Sequence, residues 1–286
     1  MTTTTLLLPL ASTDHAEAMV NQIADAFKDQ HVHLVGLHVR PPIFSGSTAV
    51  SRSSYGMYFA PDVTEEHQKQ VDAKSKAVED AFQAPNLPSN IVREYRTQKG
   101  DVLDEIARQS LYADALVLPL IRPEDADKDH HIKAGMTSYL LHNSCTPVLL
   151  LPLEGKIDPI FARPLLAWKE SSEAGAATRS LLHMAPKEAS IDVVTVQSRF
   201  SAEKMGSVSS VDLSSFVARR GFKVVDHTVI SPSDQVGEAI GSKAIECNST
   251  LIVAGAYTRR RWIEQLFGGV TENLFRQATY PVLFAR

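Results

Sequence analysis

The sequence predicts an α/β protein: two tandem, doubly wound domains, each built on a five-stranded parallel sheet. Three observations lead there. Short apolar runs such as Leu6–Leu10, Ala115–Leu120 and Leu251–Ala254 recur along the chain. They are too short for buried helices and suit strands covered on both faces. Between them lie stretches with apolar residues at helical spacing, which sets a helix between each pair of strands. The third observation is internal repetition. Pro147 and Pro281 lie 134 residues apart, and the same offset carries Gly135 onto Gly269, Thr137 onto Thr271 and Leu140 onto Leu274. It also carries Val102 and Ile106 onto Val236 and Ile240. An offset kept across two helices and two strands argues two copies of one unit, at residues 1–154 and 155–286.

In the first copy, strand one is Leu6–Leu10. The helix after it runs from Asp14 to Phe27, with Ala16, Met19, Val20, Ile23 and Phe27 on one face. Strand two is His33–Val39. A charged helix follows from Thr64 to Phe82, with Thr64 as its cap and Glu65 and Glu66 in its first turn. Strand three is Ile91–Arg96. The next helix begins at Asp101 and buries Leu103, Ile106, Ala107, Ser110 and Leu111. Strand four is Ala115–Leu120. A charged loop from Arg122 to Lys133 leads to a helix after Gly135 and to strand five, Pro147–Leu151.

Glu154–Pro159 reads as a linker, and the order then repeats. The strands are Leu165–Trp168, Ile191–Val196 and Phe222–Ile230. The helices are Ala174–Met184, Val211–Arg219 and Asp234–Cys247. Leu6–Leu8 match Pro164–Leu166 at an offset of 158, so the first copy holds 24 more residues between its first and third strands. The surplus falls on Pro41–Val63, whose Ser45, Gly46, Ser47, Ser51, Ser53, Ser54 and Gly56 are loop composition. Tyr55, Met57, Tyr58 and Phe59 suit either packing on its own domain or a lid or interaction loop.

The last stretch, Leu251–Arg286, carries the strongest functional signal. A buried strand ends at Gly255, a basic loop holds Arg259, Arg260 and Arg261, and Gly268–Gly269 precedes a helix with Val270, Leu274 and Phe275. Pro281–Phe284 is then a second buried strand. Strand, glycine loop, helix and parallel strand form a right-handed crossover whose loop and helix N-terminus suit an anion. This stretch resembles the C-terminal signature of universal stress proteins, an adenine nucleotide alpha hydrolase-like fold. The nucleotide-binding members of that family carry Gly, two residues, Gly, nine residues, Gly, then Ser or Thr. Here Gly255 and Gly268 keep their places, Thr258 replaces the second Gly, and Gly269 stands at the Ser/Thr position.

The resemblance makes Gly255, Thr258, Arg259, Gly268, Gly269, Val270, Thr271 and Lys169 the candidate nucleotide- or anion-binding residues. Arg259–Arg261 suit phosphates electrostatically, while a solvated basic loop with packing glycines is the plainer reading. The family's nucleotide binders also place an Asp after strand one. The matching positions here are Ala11, which has no acceptor, and Lys169, which inverts the charge. In the first copy the first glycine falls on Ile121, Pro123 lacks an N–H, and Glu124, Asp125, Asp127 and Asp129 would repel a triphosphate. No cofactor is therefore expected, with ATP or AMP in the second copy as the alternative. The resemblance further implies a cytoplasmic stress-response role through protein association. It also implies pairing through the last strands, Val148–Leu150 against Val282–Phe284 within one molecule. A homodimer of whole chains is a further expectation.

Other function classes find little support. A net charge of −4 argues against nucleic-acid binding, and Arg259–Arg261 with Trp262 is one short patch. No apolar run approaches a bilayer span, and Met1–Thr5 has no signal-peptide pattern, so a cytoplasmic protein is expected. Cys145 and Cys247 read as small buried hydrophobes. His31, His33, His130 and His131 have no structural-zinc spacing beside them, so no metal is expected. Ser171 and Ser172 have no partnered base, and Glu170 and Glu173 read as a solvated helix start, so no catalytic residues are assigned. Trp168 and Lys169 leave room for an apolar anion at the second crevice.

Overall fold

The computed structural model describes residues 3–40, 50–53, 56–59, 65–120, 134–187, 189–198, 208–231, 236–256 and 280–286. The first half runs β1 (Thr4–Pro9), α1 (Thr13–Ala26), β2 (Val32–Arg40), β3 (Val50–Ser53), β4 (Gly56–Phe59), α2 (Glu65–Gln83), β5 (Ile91–Lys99), α3 (Val102–Ser110), β6 (Ala115–Leu120), α4 (Ala134–Asn143) and β7 (Val148–Pro152). The second half runs β8 (Pro164–Trp168), α5 (Ser172–Met184), β9 (Ser190–Ser198), α6 (Val208–Ala218), β10 (Lys223–Ser231), α7 (Val236–Glu246), β11 (Leu251–Gly255) and β12 (Val282–Ala285).

Ten strands form one sheet in the order β10-β9-β8-β11-β12-β7-β6-β1-β2-β5. Within each half every neighbouring pair is parallel. The two halves therefore repeat one strand order outward from the centre. They join where β12 meets β7, antiparallel, with Val282 opposite Leu150, Leu283 opposite Leu149 and Phe284 opposite Val148. The two expected five-stranded sheets are thus continuous.

The strand order dictates which face each helix covers. The chain steps outward from β1 to β2 to β5, then returns through β6 to β7. Right-handed crossovers place outward-stepping helices on one face and returning helices on the other. One core accordingly holds Met19, Ile23, Phe82, Leu181 and Val217 from α1, α2, α5 and α6. The other holds Ile106, Leu140, Ile240 and Ala244 from α3, α4 and α7. Along β1, Leu6 and Leu8 face the first core and Leu7 the second. That two-sided burial is why central strands read as unbroken apolar runs. Both cores pass under β7 and β12, through Leu149 and Leu283 on one face and Leu150 and Val282 on the other.

Three segments differ from expectation. Part of the serine-rich insertion forms an antiparallel hairpin, β3 with β4, Val50 opposite Phe59. The β-branched and aromatic residues that flank its serines favour extended pairing, and the loop composition masked them. Tyr55 and the rest of Pro41–Val63 lie outside the described residues. The outer strands are longer than their apolar runs: β2 pairs with β5 from Val32–Ile91 to Arg40–Lys99. Alternating polar residues such as Glu94 and Arg96 on the edge strand disguise its length. Finally, the segment read as a linker is packed. Ile157, Ile160 and Phe161 are buried. Phe161 meets Phe27 edge to face, centroids 5.9 Å apart, the Ile160 N–H donates to the Ala26 carbonyl, and Gln22 Nε2 donates to the Gly155 carbonyl at 2.8 Å.

Thr64, read as a helix cap, lies outside the described residues, while the helix expected to begin at Asp101 is capped by that residue. Asp101 Oδ1 accepts from the backbone N–H groups of Leu103 and Asp104 at 3.0 and 3.2 Å. Asp101→Ala leaves these donors to water, and the expected loss is about 1 kcal/mol, read as a lower urea midpoint with an unchanged slope.

Candidate functional site

In a doubly wound sheet, the crevice lies at the carboxyl ends of adjacent strands whose following helices depart to opposite faces. In the first half those strands are β1 and β6, and β8 and β11 hold the same places in the strand order of the second.

The first crevice is bounded on the β2 side by an internal polar network. His38 is buried; its Nδ1 lies 3.0 Å from the Leu10 carbonyl and its Nε2 lies 3.2 Å from Ser75 Oγ. Tyr95 donates its hydroxyl to the Ser75 carbonyl at 3.3 Å, and burial pushes that phenol above its ordinary range. A Cβ on Gly36 would stand 2.7 Å from Phe82 Cζ, so the ring of Phe82 seats directly on the β2 backbone. Ala11 follows β1 half-buried, with no side-chain donor or acceptor. Residues 121–133 lie outside the described residues.

The second crevice is built from β8, β11 and the first turn of α5. Ala254 lies opposite Ala167, which brings Gly255 alongside the end of β8. Lys169 follows β8 and is exposed. Ser171 caps α5, its Oγ accepting from the Ala174 N–H at 3.2 Å. Ser172 donates to Glu173 Oε2 at 3.1 Å. The Glu173 carboxyl is held below its ordinary range, first by its own backbone N–H and then by the Ser172 hydroxyl. A carboxylate of the chain itself thus sits at this helix N-terminus, where the macrodipole favours an anion.

Gly255 is defined by contact. A Cβ there would lie 2.6 Å from Ala174 N, 2.7 Å from the Glu173 carbonyl carbon and 2.8 Å from Glu173 Cβ. Glycine at this position lets β11 approach the first turn of α5. The Ala256 N–H then donates to the Ala285 carbonyl at 2.7 Å. The structure thus brings two candidate residues, Lys169 and Gly255, to one end of adjacent strands. Thr258, Arg259, Gly268, Gly269, Val270 and Thr271 lie outside the described residues, as do Arg260, Arg261, His130 and His131.

One feature escaped sequence reasoning. Trp168 Nε1 and Thr195 Oγ1 are buried without a hydrogen-bond partner among the described residues, and the two residues are opposite each other on β8 and β9. A buried indole N–H normally has an acceptor. No sequence signal marks such a pair, because 27 positions separate the two residues.

No protein-family model and no curated protein matches the chain. Solved structures do. A universal stress protein from Archaeoglobus fulgidus DSM 4304 superposes with a TM-score of 0.65 at 16% identity, covering 99% of this chain and 96% of that one. A putative universal stress protein from Pseudomonas aeruginosa UCBPP-PA14 matches at 13% identity and a TM-score of 0.45, covering 98% and 92%. A universal stress family protein from Burkholderia pseudomallei matches at 24% identity over 43% of this chain and 94% of its own, with a TM-score of 0.30.

Proposed function

From a universal stress protein fold that spans nearly the whole chain, we propose a non-catalytic, cytoplasmic stress-response protein of tandem type, with units at residues 1–154 and 155–286. It acts by protein association and holds no ATP. The observation that carries the reading is the Glu173 carboxylate at the N-terminus of α5, beside a Gly255 fitted to backbone. A triphosphate entering there meets a like charge, and Ala11 and Lys169 stand where the family's nucleotide binders hold Asp. Ser171 and Ser172 are engaged in capping and in hydrogen bonding to Glu173, roles that suit neither as a nucleophile. No helix among the described residues is long and apolar enough to cross a membrane.

The β7 and β12 edges are joined to each other inside the chain. Association with other proteins, or with a second copy, therefore uses other surfaces. The outer edges carry charge, Arg93, Glu94, Arg96 and Lys99 on β5 and Lys223 and Asp226 on β10, which opposes extension of the sheet. Native mass spectrometry of the purified chain, before and after ATP is added, tests the proposal. The expected spectrum shows bare chain, unchanged by ATP, and its mass reports one copy or two. A retained or acquired adenine nucleotide overturns the reading.

A second reading is favoured by Trp168. Its Nε1 and Thr195 Oγ1, without a partner among the described residues, suit polar groups of a ligand in the second crevice, so an adenine-nucleotide switch in the second unit is the alternative function. In that case ATP or AMP changes the fluorescence of Trp168, and Trp168→Phe removes the response. A titration with no change removes this alternative.

A further inference from the structure

We propose that Asp192, His227 and Cys247 form a binding site for a divalent transition metal of the zinc type, separate from either crevice. Asp192 stands near the start of β9, His227 in the middle of β10, and Cys247 directly after α7. All three therefore lie on the α7 side, away from the carboxyl end of β9. Their ligand atoms lie within 4.8 Å of one another. Asp192 Oδ1 is 2.7 Å from His227 Nε2, and Cys247 Sγ is 3.7 Å from the same nitrogen.

Convergence on one ring nitrogen is the telling feature. A protonated Nε2 has a single N–H to donate. A bare Nε2 accepts from the thiol but faces the carboxylate's lone pairs. A cation between the three atoms is coordinated by the carboxylate, the imidazole lone pair and a thiolate together. Tetrahedral zinc with Zn–S about 2.3 Å and Zn–N about 2.05 Å sets N···S at about 3.5 Å and N···O at about 3.3 Å. The observed N···S separation already fits, and the N···O pair opens by about 0.6 Å, within reach of a small χ rotation. One oxygen, one nitrogen and one sulfur suit a borderline-soft ion and exclude magnesium and calcium, which take oxygen ligands. The carboxylate and thiol are buried, while the His227 side chain keeps 23% exposure, which provides the way in. Water takes the fourth position.

Burial, and after it the charge of Asp192, push the Cys247 thiol above its ordinary range. Binding breaks the S–H bond, forms the S–metal bond and releases one proton to solvent, so affinity rises with pH.

The experiment uses the full chain, reduced and stripped with a chelator, and titrates it with Co²⁺ alone. One equivalent should produce a thiolate-to-cobalt charge-transfer band with tetrahedral visible bands, and Zn²⁺ should displace them. The chain has only two cysteines, so Cys145→Ser keeps the band and Cys247→Ser loses it. Asp192→Asn and His227→Ala should bind at least about ten-fold more weakly. If the Cys247 variant does not fold, the Cys145 variant still locates the thiolate. A wild-type chain with no charge-transfer band, or a band that disappears with Cys145, overturns the proposal.

Discussion

Leu283→Ala should destabilise both halves of the chain together, by about 2–5 kcal/mol. Leu283 is 1% exposed and stands opposite Leu149 across the antiparallel junction. Both side chains belong to the core that also contains Leu6, Ile23, Leu166 and Leu181. Truncating one removes packing shared by the two halves, and the neighbouring strands can close the void only by shifting the junction itself. Urea unfolding followed by far-ultraviolet circular dichroism measures the loss. Hydrogen exchange read on peptides from β1 and β9 shows where it is felt. The expected outcome is faster exchange in both. Exchange accelerated in β9 alone would mean that the halves are energetically independent despite their shared sheet. Because the two leucines stand opposite each other in one core, Leu149→Ala combined with Leu283→Ala should be non-additive.

Gly255→Ala should be the more disruptive of the two glycine substitutions that test close packing. The added methyl would fall within 2.8 Å of Ala174 N and of the carbonyl carbon and Cβ of Glu173. Two of these are backbone atoms of a capped helix turn, which cannot rotate aside. Either β11 retreats or α5 loses the Ser171 cap, and about 3 kcal/mol is expected, the upper end of ordinary overpacking. At about 2–4 °C per kcal/mol, that lowers the melting temperature by about 6–12 °C. Gly36→Ala is the comparison. Its nearest neighbours are side-chain ends, Phe82 Cζ at 2.7 Å and Leu10 Cδ1 at 2.9 Å, which yield more readily, so about 1–3 kcal/mol is expected. A Gly255→Ala chain that melts like the wild type would return Gly255 to the phosphate-cradle role its spacing suggested.

The difference between these two kinds of site explains how much was legible beforehand. Leu6–Leu8, Ala115–Leu118 and Leu251–Ala254 announce buried strands because burial on both faces demands apolar residues at every position. Asp101 marks a helix start because a free N–H turn needs a nearby acceptor, whereas the Ser171 cap of α5 emerged only with the structure. Gly255 was visible as a constrained position, but its spacing fitted both a phosphate loop and a tight strand–helix contact. Only the proximity of Ala174 N distinguishes the two.

Chemistry that depends on distant partners was hidden altogether. Cys145 and Cys247 both read as small buried hydrophobes; Cys145 is exposed, but Cys247 is buried. That its sulfur faces His227, and that His227 faces Asp192 from 35 positions away, follows from β9 and β10 lying side by side. Trp168 and Thr195 become a polar pair without a partner among the described residues for the same reason. The burial of Ile157 in a stretch that read as a tether, and the packing of Ile160 and Phe161 on α1 directly after it, likewise needed the two halves to be in place. Most strand and helix positions among the described residues, and the doubling of the unit, were legible in the sequence, because periodicity acts over a few residues and an internal offset between copies. The pairing of β7 with β12 was expected from the family resemblance, and the structure adds its antiparallel register; the backbone contact at Gly255 and the three converging ligands were settled by tertiary structure, because each is a distance between residues that the chain itself keeps far apart.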